Sequence, residues 1–184
     1  MRSEIFQLIQ EITPFDGLEK TQIQETLDWI NSGVEIFRLE KPATPPKHLV
    51  SYFLLLDTAN RQVLLVDHKK AQLWLPSGGH VEPGEHPRVT VEREIEEELG
   101  SRAKFVQETP FFLTATPTEG LDNHEGVIHT DVSLWYLLKG DIHQVYDYDK
   151  REFHGIQWFA FDSLPYPRTD PQMGRFMQKL ESIF

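Results

Sequence analysis

The chain has 184 residues, enough for one domain with a sizeable core, and 39% of them are hydrophobic and 26% charged, a balance typical of globular proteins. No apolar run approaches the ~18 residues that a membrane helix needs. The net charge of -11 argues against a general DNA- or RNA-binding protein, and the absence of cysteine excludes disulfides, thiolate catalysis and cysteine-zinc sites.

Two amphipathic helices are predicted near the N-terminus. Apolar residues recur at helical spacing from Ile5 to Ile12, and Thr13-Pro14 ends the pattern. The apolar stripe of the second helix comprises Ile23, Leu27, Ile30 and Val34. Two capping boxes suit the start of this helix: Asp16 with Glu19, or Thr21 with Gln24.

The remainder alternates between strand-like and loop-like segments around one strong helix. Prolines at positions 42, 45 and 46 predict an extended linker, which divides the chain into an N-terminal helical extension, residues 1–46, and a second domain, residues 47–184. Segments rich in β-branched and aromatic residues predict five strands: His48–Leu56, Gln62–Asp67, Phe105–Thr116, Val132–Lys139 and Gly155–Phe161. Apolar residues at helical spacing predict a closing helix within residues 171–184.

The most acidic stretch lies between Glu82 and Glu98, which contains seven Glu and two Arg. The segment before it, residues 75–87, is rich in Gly and Pro and predicts a shaped loop. Pro87 suits the first turn of a helix and Gly100 suits its end, so a helix of about 12 residues is expected between them.

The charges on this helix are arranged unfavourably for a bare helix. Its apolar residues form one buried stripe: Val91, Ile95 and Leu99. Three carboxylates converge on the arc beside that stripe: Glu94, Glu97 and Glu98. Like charges at these spacings cost roughly 0.2–0.5 kcal/mol per pair. A bound divalent cation would turn this unfavourable electrostatic energy into a favourable one, and oxygen ligands suit Mg²⁺ or Mn²⁺. The alternative is an acidic helix face that is simply solvated.

The spacing from Gly79 to Ser101 resembles the signature of the Nudix hydrolases. Gly79 is followed after five residues by Glu85 and after seven more by the run 93–100, with every charged and glycine position matched. The one departure is Ser101, where the pattern has an aliphatic residue. The surrounding strands extend the resemblance to about residues 47–165, and residues 1–46 are not explained by it.

The resemblance implies an α/β (α+β) fold, a Nudix-type α/β/α sandwich with a mixed β-sheet and the signature loop and helix, here with added N-terminal helices. It also implies a metal-dependent pyrophosphohydrolase, using Mg²⁺ or Mn²⁺, that cleaves a nucleoside diphosphate linked to another group by attack of water at phosphorus. In the family, the glutamates matching Glu94, Glu97 and Glu98 hold the metal. The arginine matching Arg93 orients a carboxylate, and the glutamate matching Glu85 supports the loop or a further metal.

The general base and the substrate contacts are less determined. Glu94 or Glu98 is one choice of base; Glu152, in the loop before Trp158-Phe159, is the other, and Asp149 is a weaker one. The substrate-binding residues expected near the signature loop are Gly78, Gly79 and Arg88. His124, His129 and Asp131 lie close together in sequence, and we expect a strand-end hydrogen bond there rather than a zinc site.

Two other functions remain open from the sequence. One is a non-catalytic nucleotide-binding sensor, which the complete carboxylate set disfavours, and the other is an isoprenoid diphosphate isomerase, which the lack of cysteine disfavours. The expected partner is a small nucleotide or diphosphate substrate, with no stable nucleic-acid partner and no membrane, and a homodimer is left open. Because the first residues lack the apolar stretch of a signal peptide, we expect a cytoplasmic protein.

Overall fold

The computed structural model describes residues 1–41, 43–119 and 128–184. The α-helices are α1 (Arg2–Gln10), α2 (Gly17–Asn31), α3 (Pro87–Leu99) and α4 (Met173–Glu181). The strands are β1 (Lys47–Asp57), β2 (Gln62–His68), β3 (Leu73–Leu75), β4 (Ser77–His80), β5 (Phe112–Glu119), β6 (Ile128–Lys139) and β7 (Phe153–Ala160). In the part of the chain that is described, none of the helices has the length and apolarity to cross a membrane.

The strands form one mixed sheet with β1 near its centre. The order is β3-β2-β1-β6-β5, and β4 and β7 pair with β1 and β2. β1 and β6 run parallel, while the other pairs are antiparallel. β1 pairs with β4 through Val50–Phe53 and with β2 through Leu55–Asp57. One edge of β1 is therefore shared by two strands, β4 along its first half and β2 along its second, while β6 lies along the other edge.

Helices cover both faces of the sheet, as predicted. On β6, the side chains of Val132, Leu134, Tyr136 and Leu138 lie in one apolar cluster, and those of Trp135 and Leu137 lie in another. This alternation is what a strand buried on both faces requires. The first cluster includes apolar residues of α1, α2 and α3, and the second includes Phe176 and Leu180 of α4. The N-terminal helices therefore share the core of the sheet.

Several element predictions were wrong in detail. The strand predicted at Phe105–Thr116 begins only at Phe112, because Pro110 has no N–H to donate and the residues before it make a single bridge, between Phe105 and Leu138. Val34 is exposed rather than buried, since α2 ends at Asn31. β3 and β4 were missed because each has only three or four residues and β4 is glycine-rich.

A buried ion pair holds α2 and α4 against the edge of the sheet. Glu19 is fully buried and accepts hydrogen bonds from Lys179 Nζ (2.9 Å) and from the backbone N–H groups of Phe15 (2.6 Å) and Leu113 (3.1 Å). Leu113 belongs to β5, the edge strand. Glu19 thus satisfies backbone groups as well as a charge, which is the condition under which a buried carboxylate is tolerated.

The neighbouring pair of Asp16 and Arg175 predicts a dependence of stability on pH. Asp16 caps α2 and accepts two hydrogen bonds from Arg175, at 2.7 and 2.8 Å. These bonds lower the pKa of Asp16 from 3.8 to about 2. A depressed carboxylate pKa stabilises the fold above about pH 4, and this contribution is lost as the pH falls toward 2.

We expect Asp16→Asn, which keeps the helix cap, to lower the free energy of unfolding by about 1 kcal/mol at pH 7. This is less than the full pKa shift would give, because the pair is partly exposed to solvent. Urea unfolding at several pH values would measure this. The difference between the variant and the unaltered protein should shrink toward zero near pH 2, and a difference that stays constant with pH would contradict the assignment.

Candidate active site

An open cleft of about 1030 Å³ contains most of the predicted site residues. Its walls come from β1, β4, the outward face of α3 and the segment that leads into β7. The predicted residues that line it are Gly78, Gly79, Arg93, Glu94, Glu97, Glu98 and Glu152. The structure thus brings residues of the signature together with a loop more than fifty positions later in the chain.

α3 positions the three carboxylates as the helical wheel predicts. Val91, Ile95 and Leu99 are fully buried and hold the helix against the sheet. Gly100 ends the helix with φ +58°, a left-handed conformation that glycine adopts at no steric cost. The face beside the buried stripe therefore carries its glutamates into the cleft.

Burial sets the electrostatics of these carboxylates. Glu98 is only 8% exposed and accepts a hydrogen bond from the Gly78 N–H at 3.0 Å. Burial, followed by the charge of Glu94, raises the pKa of Glu98 well above its ordinary value. Burial also raises the pKa of Glu94, although the charge of Arg93 opposes the shift. The two carboxylates repel each other in a site that offers little solvent, so an added cation would stabilise both.

The two glycines of β4 allow the loop to approach its neighbours closely. A Cβ on Gly78, whose φ is +141°, would lie 2.1 Å from the Ser51 carbonyl oxygen of β1. A Cβ on Gly79 would lie 2.0 Å from Glu94 Oε1. Only glycine lets β4 pair with β1 and also leave room for the Glu94 carboxylate.

Arg93 ties the signature loop to the helix. Its guanidinium donates to both carboxylate oxygens of Glu85 at 3.2 Å, to Glu94 Oε1 at 2.6 Å and to the His80 carbonyl oxygen at 3.3 Å. Burial alone would raise the pKa of Glu85. The hydrogen bonds from Arg93, the Glu82 N–H and the Thr90 hydroxyl outweigh this effect, so the pKa of Glu85 is lowered. Glu85 therefore holds Arg93, and Arg93 orients Glu94.

Glu152 is exposed at the edge of the cleft, on a loop anchored at two points. The Asp149 N–H donates to the Glu98 carbonyl oxygen at 2.9 Å, and the Lys69 N–H donates to the Glu152 carbonyl oxygen at 2.9 Å. Asp149 itself does not line the cleft, and its carboxylate is bound by Arg151, which lowers its pKa to about 2.

Arg88 is not brought to the cleft. Its guanidinium lies over the Phe105 ring, 4.2 Å from the centroid, and pairs with Glu92 at 3.5 Å and with Glu108. The basic residues that do line the cleft are Arg38, Lys41 and Lys70, of which Arg38 and Lys41 precede β1. Lys70 lies near the signature loop in the sequence, but no spacing in the sequence singles out Arg38 or Lys41.

Two residues of the cleft were not anticipated as a pair: His80 and Asp131. His80 follows Gly79 directly and Asp131 lies on β6, where it pairs with His48 in the sheet register. His129 Nε2 lies 3.4 Å from Asp131 Oδ1, within ion-pair distance and inside β6, whereas His124 lies outside the described residues.

Comparison with known proteins identifies the family. The family model of the NUDIX domain matches residues 46–180, most of the chain. The chain belongs to the Nudix family. As a Nudix hydrolase it acts on phosphoanhydride bonds, and residues 1–45 lie outside the matched range.

Solved structures share this fold. A MutT NUDIX hydrolase from Burkholderia pseudomallei is 25% identical with a TM-score of 0.51, over 74% of this chain and 97% of that one. A NUDIX-family hydrolase from Clostridium perfringens is 19% identical with a TM-score of 0.55, over 74% and 98%. The E. coli dihydroneopterin triphosphate pyrophosphohydrolase is 14% identical with a TM-score of 0.58, over 81% and 97%, and shows a shared fold. No curated protein matches the sequence significantly.

The contact between Gly79 and Glu94 predicts a specific loss of activity. In Gly79→Ala the new methyl group must displace the Glu94 carboxylate, because the neighbouring atom is the end of a flexible side chain. Since a misplacement of about 1 Å in a catalytic site can cost roughly 100-fold, we expect hydrolysis to fall by about that factor. Gly155→Ala is the matched control, as a Cβ there meets nothing within 4 Å. Equal rates for the two variants would contradict the contact.

Proposed function

We propose that this Nudix hydrolase is a divalent-metal-dependent pyrophosphohydrolase of small nucleotides or nucleotide derivatives. The observation that carries the proposal is the convergence of Glu94, Glu97 and Glu98 in one cleft, with Glu98 nearly buried and its pKa raised. Glu98 is buried beside the half-buried Glu94, and the repulsion between these two carboxylates is costly without a further cation, whereas Glu97 is exposed. Carboxylate oxygens alone suit a hard divalent ion, so these residues fit Mg²⁺ or Mn²⁺.

The residues of the chain divide into distinct roles under this proposal. Glu94, Glu97 and Glu98 would hold the metal, which when bound neutralises phosphate charge and activates water. Glu85 accepts two hydrogen bonds from Arg93 and is not among the residues that line the cleft. We therefore assign it to the support of Arg93 and not to the metal. Gly78 and Gly79, which line the cleft, would contact the diphosphate. The nearby cations Arg38, Lys41 and Lys70 bring positive charge to the same cleft.

Glu152 is our proposed general base. It is an exposed carboxylate in the cleft, on a loop whose backbone is bonded to the last turn of α3. It can therefore accept a proton from water near the three carboxylates without itself being one of them. Glu152→Gln should lower kcat by about 10²- to 10⁴-fold with little change in KM. A near-normal kcat in this variant would instead assign the base to Glu94 or Glu98.

The test is a hydrolysis panel with the purified full chain. Nucleoside triphosphates, oxidised nucleotides, nucleotide sugars, ADP-ribose, dinucleoside polyphosphates and dihydroneopterin triphosphate are each incubated with Mg²⁺, with Mn²⁺ and with EDTA. We expect release of a phosphate or nucleotide product from at least one class, abolished by EDTA. Hydrolysis that persists in EDTA would contradict metal dependence, and binding without hydrolysis across the panel would favour a nucleotide sensor.

A further inference from the structure

Three histidines and one aspartate meet where β1, β4 and β6 lie side by side. In the sheet register His48 is paired with Asp131, and Val50 is paired with His80. Side chains two residues apart on a strand point to the same face. His48, His80, His129 and Asp131 therefore share one face, and we call them the histidine cluster.

The polar atoms of the histidine cluster face one another. Asp131 Oδ1 lies 3.1 Å from His48 Nε2 and 3.4 Å from His129 Nε2. One ligand atom from each of His48, His80 and Asp131 lies within 4.8 Å of the other two. The His48 ring is stacked on His129 at 5.4 Å and lies 4.9 Å from that of His80.

Ring nitrogens of His48 and His80 point into the histidine cluster. His48 is fully buried, and its Nδ1 lies 2.9 Å from the Pro45 carbonyl oxygen, so Nδ1 carries the proton and donates it there. In a neutral ring the Nε2 lone pair then faces a carboxylate oxygen. Within the described part of the chain, the buried His80 Nε2 has no hydrogen-bond partner.

We propose that the histidine cluster is a second metal site, separate from the carboxylates of α3, and that it takes a divalent transition ion of the zinc class. One proton between His48 and Asp131 would satisfy a single contact, whereas one cation would bind the ligand atoms of His48, His80 and Asp131 together. A carbonyl acceptor for the second ring nitrogen, as His48 has in Pro45, is the usual support of a metal-binding histidine.

The ligand chemistry distinguishes the two sites. Imidazole nitrogens with one carboxylate favour Zn²⁺, while the three glutamates offer only oxygen and favour Mg²⁺. In a tetrahedral zinc site neighbouring ligand atoms are roughly 3.3 Å apart, so the most widely separated ligand atoms need to close by up to about 1.5 Å. Because His80 and Asp131 also line the cleft, the second ion would lie beside the substrate rather than in a remote surface position.

Zinc retention by the intact protein tests this proposal without reference to activity. The protein is stripped with a chelator, incubated with Zn²⁺ in the presence of excess Mg²⁺, and separated from free metal. We expect about one zinc per chain by elemental analysis, with imidazole scattering in the X-ray absorption spectrum. The double variant His80→Asn/Asp131→Asn should bind zinc at least about 100-fold more weakly than the unaltered protein. Removing residues that only support the ligands costs about 10- to 100-fold, so a larger loss indicates that ligands were removed.

Two controls separate the sites. His154→Asn removes an exposed histidine outside the histidine cluster, and Glu97→Gln/Glu98→Gln alters the carboxylates; both should retain the zinc. If the unaltered protein holds no zinc and His48 gives the NMR signature of an imidazolium, the cluster is held by a proton and the proposal is wrong. Zinc lost only in the glutamate variant would also overturn it. The absorption spectrum of the unaltered protein decides the ligand type even if the double variant fails to fold.

Discussion

Replacing Glu98 with glutamine is expected to reduce hydrolysis by about 10²- to 10³-fold while the fold stays intact. Glutamine has the same shape and keeps an oxygen that can accept the 3.0 Å hydrogen bond from the Gly78 N–H. It removes the charge that would hold a cation in the cleft. Glu97→Gln should act in the same direction, since Glu97 lines the cleft as well. Steady-state kinetics with Mg²⁺, together with circular dichroism, would measure both properties.

Glu96→Gln is the matched control for this experiment. Glu96 is exposed on the same helix and does not line the cleft, so its variant should keep nearly the full rate. If Glu98→Gln and Glu96→Gln are equally active, the carboxylates of the cleft do not take part in the reaction.

The second large effect concerns stability. Glu19→Gln should lower the free energy of unfolding by about 3 to 5 kcal/mol, because it leaves the buried Lys179 ammonium without its partner. Lys179 then keeps the Thr13 carbonyl oxygen at 2.7 Å and an amide oxygen as acceptors, but it has lost the negative charge that balanced it. Urea denaturation at pH 7 would give the difference.

Two further variants show whether the effect comes from the uncompensated charge. Glu25→Gln, an exposed change on the same helix, should stay within about 0.5 kcal/mol of the unaltered protein. Glu19→Met/Lys179→Met should be less destabilised than Glu19→Met alone, since no charge is then left buried. A loss below about 1 kcal/mol in Glu19→Gln would contradict this account of the ion pair.

Local patterns predicted the parts of the site that are local in sequence. The apolar spacing of Val91, Ile95 and Leu99 gave the buried face of α3, and the same geometry placed the glutamates beside it. Pro87 and Gly100 marked the ends of the helix because each suits one backbone conformation. The Asp16 cap of α2 was identified by the same local reasoning, as one of two alternatives.

Contacts between distant segments could not be predicted in this way. Helical spacing alone does not show that the long side chain of Arg93 reaches Glu85 in the loop before α3 as well as Glu94 beside it. Arg88 looked suited to phosphate, and its actual partners, Phe105 and Glu108, lie beyond the helix. The pairing of His48 with Asp131 depends on the register of two parallel strands more than eighty residues apart, which no periodicity reveals.

Titration of the metal-free protein with Mn²⁺ tests the central claim most directly, namely that the carboxylates of the cleft hold a divalent ion. Calorimetry or electron paramagnetic resonance is used to compare the unaltered chain with Glu97→Gln/Glu98→Gln, each with and without a nucleotide. The account predicts that the unaltered chain binds Mn²⁺ and that the double variant loses this binding, with or without the nucleotide. Equal uptake by both proteins, or no uptake by either, would contradict it.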